Sequence, residues 1–133
     1  MGETGEITGF NYPQELPICA FRREILDALA KNDIIIVCGE TGSGKTTQLP
    51  KMAMELGCGR DGRKIACTQP RRIAATTVAE RVARELETEP GDIVGYQHRF
   101  EKKLSDSTVV KFMTDGVLLA ETLYDPLLQA YDA

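Results

Sequence analysis

No apolar run in these 133 residues approaches the ~20 that a helix needs to cross a bilayer, so no spanning segment is expected. Residues 1–10 are acidic, polar and glycine-rich, without the basic start and apolar middle of a secretory leader, and a cytoplasmic setting follows. Histidine occurs once, as His98. With no Ser or Cys nucleophile motif and no second metal ligand beside it, His98 reads as a surface or packing residue rather than a catalyst. Cys19, Cys38, Cys58 and Cys67 form no C-x-x-C pair and have no histidine at zinc-ligand spacing, so free thiols are expected. Positive charge is also short. Sixteen Lys and Arg against twenty Asp and Glu leave a net charge of −4, so there is no global basic field to attract nucleic acid. Any such contact has to come from local groups.

What the sequence does have is a phosphate-binding pattern. Gly39-Glu-Thr-Gly-Ser-Gly-Lys-Thr46 satisfies G-x-x-x-x-G-K-[ST] in full. It follows Ile34-Ile35-Ile36-Val37, a β-branched run expected to form a strand buried on both faces, and it precedes a helical pattern. Glycines 39, 42 and 44 let the backbone turn tightly, so that consecutive N–H groups of the loop through Thr41, Ser43 and Thr47 can converge on one anion. The helix beginning near Gly44 directs the positive end of its dipole to the same place. Lys45 would reach the β- and γ-phosphates of a nucleoside triphosphate, and the Thr46 hydroxyl suits Mg²⁺, which makes these two the candidate catalytic residues.

The remainder suits a single α/β domain, with 42% hydrophobic and 27% charged residues. Residues 1–12 lack periodicity and are expected to be a flexible lead-in before a domain over 13–133. An amphipathic helix is expected from Pro17 through Leu29, since Ile18, Phe21, Ile25, Leu26 and Leu29 share a face. The P-loop helix is expected from Thr46 to about Leu56, with a kink or break near Thr47 because Pro50 lies inside it. A strand over 64–68 then meets Pro70, and a helix through Ile73, Val78, Val82 and Leu86 follows. Arg71 and Arg72 at that corner can grip phosphate oxygens, or form a solvated basic turn paired with Glu80 or Glu85. Further strands are expected over 93–96 and 108–113, separated by a polar loop from Glu101 to Ser107. A helix N-capped by Asp115 and a short helix over 126–133 complete the chain.

Four stretches taken together carry a resemblance: Gly39 to Pro50, Thr68-Gln-Pro-Arg-Arg-Ile-Ala-Ala75, Gly95-Tyr-x-x-Arg-Phe-Glu101 and Met113-Thr-Asp-Gly-Val-Leu-Leu119. In that order and spacing they resemble the first RecA-like domain of the superfamily 2 DEAH-box RNA helicases, most like the bacterial HrpA-type. The likeness extends from about Tyr12 to Ala133. It implies a P-loop NTPase three-layer sandwich with a mainly parallel sheet, using ATP and Mg²⁺. In that family Gln-Leu-Pro follows the P-loop, which accounts for Pro50. Arg81 matches the arginine that stacks on the nucleotide base, a task suited to a planar guanidinium. Arg71, Arg72, Arg99 and Thr114 match positions that touch the sugar-phosphate backbone of single-stranded RNA, contacts that position a strand without reading its sequence. His98 stands where the family usually has an aliphatic residue.

The resemblance also implies what lies beyond Ala133: the Asp-Glu-Ala-His motif on the Walker B strand, the Ser-Ala-Thr motif, and a second RecA-like domain with its arginine fingers. The chain is accordingly expected to be the ATP-binding portion of a larger motor. Alone it would bind nucleotide without unwinding, and one sheet edge would be left uncovered. A P-loop kinase and a non-catalytic nucleotide-binding module are the alternatives, the first requiring phosphate transfer to a metabolite and the second nucleotide binding without response to RNA.

Overall fold

The computed structural model describes residues 10–133. The described residues form four α-helices and four strands. A 3₁₀ turn, Pro17–Phe21, leads into α1 (Arg22–Lys31). The P-loop helix is α2 (Lys45–Glu55), followed by β1 (Ile65–Gln69) and α3 (Arg72–Glu85). A hairpin of β2 (Val94–His98) and β3 (Glu101–Lys103) precedes β4 (Val110–Thr114) and α4 (Asp115–Glu121).

The strands form one open sheet in the order β1-β4-β2-β3. β4 pairs in parallel with both β1 and β2, and only the short β3 runs antiparallel, so the sheet is mainly parallel as the α/β class requires. Strand β4 shows how the layers are arranged, because successive side chains leave a strand on opposite faces. Val110 and Phe112 are fully buried with Ala79, Val82 and Ala83 of α3 and with Ala53 and Met54 of α2. Lys111 points the other way, where its Nζ meets Glu121 Oε1 of α4 at 2.5 Å and the Tyr131 hydroxyl at 3.3 Å. Helices α2 and α3 therefore cover one face and α4 the other. This is a three-layer arrangement.

A second apolar cluster lies beside the first. Tyr12, Ile18, Cys19 and Ile25 pack on Met52 of α2, which fastens the N-terminal turn and α1 to the P-loop helix. Tyr12 donates from its hydroxyl to Glu55 Oε2 at 2.7 Å, and Arg22 both pairs with Glu55 and stacks 4.8 Å over the Tyr12 ring. Of the expected lead-in, residues 1–9 lie outside the described residues. Phe10 and Tyr12 pack in the second apolar cluster.

Several expectations are corrected. Residues 34–37 form no ladder with any described strand, and Ile34 and Ile36 are 86% and 87% exposed, not buried. Ile35 and Val37 on the alternate side do pack on the second cluster. A hollow of about 430 Å³ separates Ile35 and Val37 from Ile65 and Cys67 of β1. Helix α1 starts at Arg22, the preceding residues winding as 3₁₀ behind Pro17. Helix α2 runs through Pro50 unbroken. The proline has no N–H, so one backbone bond, to the Thr46 carbonyl, is forfeited.

Residues Glu101–Lys103 are not loop but edge strand, the all-charged kind of segment that discourages further pairing. Thr114, not Asp115, is the N-cap of α4, and it caps through no side-chain bond. Residues 126–133 form turns, with Asp125 carboxylate oxygens accepting from the N–H groups of Gln129 and Ala130, and no helix. Their end runs beside β1: Lys64 bridges Tyr131 in parallel, and the Ala66 N–H donates to the Ala133 carbonyl at 2.9 Å. All four cysteines are free. No described helix is long and apolar enough to cross a membrane.

Candidate nucleotide site and strand-end surface

The loop from Gly39 to Gly44 turns back on itself through left-handed glycines, Gly42 at φ 84° and Gly44 at φ 96°, the latter being the N-cap of α2. No side chain caps that helix. Its first N–H groups are thus available to an anion, as a phosphate cradle needs. The loop is held from outside: the Ile18 N–H donates to the Ser43 carbonyl at 3.0 Å, and Leu16 and Ile18 fill the space against the Gly44 Cα. Ser43 is buried and its Oγ has no hydrogen-bond partner, an unsatisfied polar atom inside the cradle. Lys45 extends across the loop mouth, its Nζ bonding the Gly39 and Glu40 carbonyls. A bound phosphate would offer that ammonium a charged partner in place of neutral ones.

Glu40, Thr41, Gly42, Ser43, Gly44, Lys45, Thr46 and Thr47 line a hollow of about 310 Å³, and Arg81 of α3 closes one side of it. Gly39 lines a larger neighbouring hollow of about 540 Å³ together with Lys45 and α1. Every residue singled out for nucleotide contact therefore borders one of two hollows that share Glu40, Thr41, Gly42, Ser43 and Lys45, although Arg81 is separated from the P-loop by 34 positions or more in sequence. Thr46 is exposed at the loop mouth, where its hydroxyl can reach a metal ion beside a phosphate. Its type fits Mg²⁺, an oxygen-seeking cation that keeps most of its water. Among the described residues no group of three His, Cys, Asp or Glu side chains gathers as a metal site.

Parallel pairing brings the other four positions to one end of the sheet. Gln69, last in β1, is in register with Thr114, last in β4, and Gln97 of β2 with Met113 of β4. Arg71 and Arg72 follow β1, and Arg99 follows β2, so these arginines and Thr114 share the C-terminal edge of the strands. Open α/β sheets bind ligands at that edge. Between two of the arginines stands Phe100, 69% exposed, with Arg72 Cζ 4.7 Å and Arg99 Cζ 5.4 Å from its ring centroid. Arg72 is thus engaged by an aromatic face and not by Glu80 or Glu85, whereas Arg81 does lie 3.6 Å from Glu85. His98 is held by packing: its ring stacks on Tyr96 at 6.2 Å, and its Nδ1 accepts from the Phe100 N–H.

Sequence reasoning missed two features. Phe100 entered only within the Arg-Phe-Glu stretch of the resemblance, with no role of its own, and no periodicity marks an exposed aromatic as a partner for arginines. Lys51 and Gln48 are fully buried on α2 and bonded to Glu85 of α3. Their spacing of three, between apolar neighbours, was the available signal, but the same spacing serves a solvated face equally well.

The chain is 57% identical over 121 residues, 91% of its length, to ATP-dependent RNA helicase HrpA of Escherichia coli (strain K12), and covers 9% of that protein. It is 54% identical over 120 residues to the HrpA homolog of Haemophilus influenzae, again 90% of this chain and 9% of the relative. Over 118 residues, 89% of the chain, it is 52% identical to the pre-mRNA-splicing factor ATP-dependent RNA helicase DEAH10 of Arabidopsis thaliana, of which it covers 16%. The chain matches a segment of the DEAH-box RNA helicases. It spans only a tenth to a sixth of the length of these curated relatives. No protein-family model matches it. For a helicase segment the observed sheet is the compatible one, mainly parallel, open, and flanked by helices on both faces.

Proposed function

We propose that this chain is the ATP-binding portion of an NTP-dependent RNA helicase, a cytoplasmic motor that couples ATP hydrolysis to translocation on RNA and its unwinding. The observation that carries the proposal is the shared hollow in which Arg81 faces a P-loop whose helix end is uncapped and whose Ser43 hydroxyl is unsatisfied. The relatives' names add ATP and RNA.

In this scheme the loop N–H groups and Lys45 bind and neutralise the β- and γ-phosphates, fixing the nucleotide for in-line attack. Thr46 holds Mg²⁺, which when bound neutralises charge developing on the phosphoryl oxygens. Arg81 lies over the base, and planar stacking of this kind discriminates weakly among bases. Arg71, Arg72, Arg99 and Thr114 hold the sugar-phosphate backbone of single-stranded RNA along the strand ends. A cradle positions phosphates but does not activate water, so these 133 residues alone are expected to turn over ATP negligibly and not to unwind.

Calorimetric titration with Mg²⁺-ADP, with and without single-stranded RNA, tests this. Saturable binding that Lys45→Ala abolishes is the expected result. Absence of ADP binding by a chain with a folded circular dichroism spectrum refutes the proposal. Phosphate transfer to a metabolite would favour a kinase, and nucleotide binding indifferent to RNA a non-catalytic module.

A further inference from the structure

Between α2 and α3 lies a buried polar cluster that the phosphate cradle does not account for. Lys51 donates from Nζ to Glu85 Oε2 at 2.5 Å, to Gln48 Oε1 at 3.0 Å and to the Asn11 carbonyl at 2.9 Å. Gln48 Nε2 donates to the same Glu85 oxygen at 3.1 Å and to Thr47 Oγ1 at 2.8 Å. All three donors of the ammonium are thereby used, in a place that no water reaches. A buried ion pair is a poor route to stability, since apolar residues of the same volume usually do as well. Its effect here is geometric.

One oxygen of Glu85 is fixed by two side chains of the P-loop helix. The other, Oε1, faces Arg81 Nε at 3.6 Å, one turn earlier in α3. Arg81 is 56% exposed at its side chain, and an exposed arginine paired with a freely moving carboxylate would be only weakly restrained. Glu85 does not move freely, because Lys51 and Gln48 hold it. We infer that Glu85 is a positioning residue for the nucleotide base: anchored by Lys51 and Gln48, it sets the plane and place of the Arg81 guanidinium over the pocket and couples them to the P-loop through Thr47. The inference rests on the nucleotide-binding proposal above and deepens it, since it concerns the base and not the phosphates.

The test compares Mg²⁺-ADP with Mg²⁺-pyrophosphate, which carries phosphates but no base, by calorimetry on the 133-residue chain. Glu85→Gln alone leaves Lys51 buried without a counter-charge, so the informative variant is Glu85→Gln with Lys51→Met, which removes both charges together. ADP affinity is expected to fall about fivefold, the size of coupling usual between contacting side chains, with pyrophosphate affinity unchanged. Adding Arg81→Ala is expected to cost nothing more. Equal losses for both ligands would show that Glu85 acts on the cradle or the fold and would overturn the inference. So would unchanged ADP affinity in the double variant when Arg81→Ala alone weakens ADP. Should Arg81→Ala leave ADP affinity intact, the base role of Arg81 fails and this inference with it. A wild-type chain that binds neither ligand overturns the nucleotide proposal itself.

Discussion

Two glycines in the same loop, both left-handed, make a controlled comparison. At Gly42, φ 84°, a Cβ would meet no atom within 4 Å. At Gly44, φ 96°, it would meet Ile18 Cγ2 and Leu16 Cδ1 at 3.0 Å and Leu16 Cβ at 3.2 Å. The first substitution to alanine should therefore cost only the left-handed backbone, about 1–2 kcal/mol. The second carries the same cost plus an overpacking cost of about 1–3 kcal/mol. Neither neighbour can readily step aside. Ile18 is buried and its N–H is tied to the Ser43 carbonyl, and the Cβ of Leu16 moves only with its backbone. For a domain of this size 1 kcal/mol is worth about 3–5 °C of Tm, so Gly44→Ala should melt below Gly42→Ala by at least that much. Thermal melts followed by circular dichroism, with urea titrations as a check on cooperativity, measure the gap. Equal melting temperatures for the two variants would mean that the 3₁₀ turn does not clamp the loop, and the reasoning would be wrong.

Two further predictions concern ionisation. Burial first, and then hydrogen bonding to Glu55, Glu101 and Glu121, pushes the hydroxyls of Tyr12, Tyr96 and Tyr131 above their ordinary value of 10.0. The folded chain keeps them neutral where the unfolded chain ionises, so their contribution is complete below pH 10 and is lost progressively as pH rises above it. Melting temperature should fall more steeply above pH 10 in the wild type than in a Tyr12→Phe, Tyr131→Phe variant, and identical slopes would refute the assignment. Burial likewise raises the thiols of Cys19, Cys58 and Cys67, the last to about 12, while Cys38 is exposed beside the P-loop. Iodoacetamide near neutral pH should label Cys38 first, as read by peptide mass spectrometry, because the thiolate is the nucleophile; Cys67 labelled as fast would show that β1 is open to solvent.

Local chemistry decided which features were legible in the sequence. The conformation of the loop over Gly39–Gly44 was readable because glycines at fixed spacing allow the left-handed turns that it makes at Gly42 and Gly44. Strands β2 and β4 were readable to within a residue or two, since a strand enclosed by helices on both faces needs a β-branched, apolar run. Strand β3 was not, because three charged residues qualify as a strand only through their antiparallel partner. The turns after Pro126 were not either: Asp125 accepts from two backbone N–H groups there, and side-chain competition of this kind defeats helical periodicity. The Lys51–Glu85 pair joins residues 34 apart on two helices, and no local pattern can show that the two faces meet.

The segment from Ile34 to Val37 is the instructive failure. Its residue types are those of a strand enclosed on both faces, yet two of its four side chains lie open and its backbone joins no described ladder. A β-branched run encodes the environment for which it is suited, and hydrogen bonding requires that a neighbour be present as well. Position supports the same distinction. The hollow of about 430 Å³ lies between Ile35 and Val37 on one side and Ile65 and Cys67 on the other, with Leu49 and Ala53 of α2 among its apolar lining and Lys45, Thr46 and Gln69 among its polar lining. Along its β1 wall, Lys64 and Ala66 already pair with Tyr131 and Ala133 in the parallel sense. The wall facing it has the alternate apolar side chains to match. Sequence pattern and structure therefore disagree at Ile34–Val37, while the adjoining loop is braced from its other side by the Ile18 N–H bond to the Ser43 carbonyl and by Leu16 and Ile18 against Gly44.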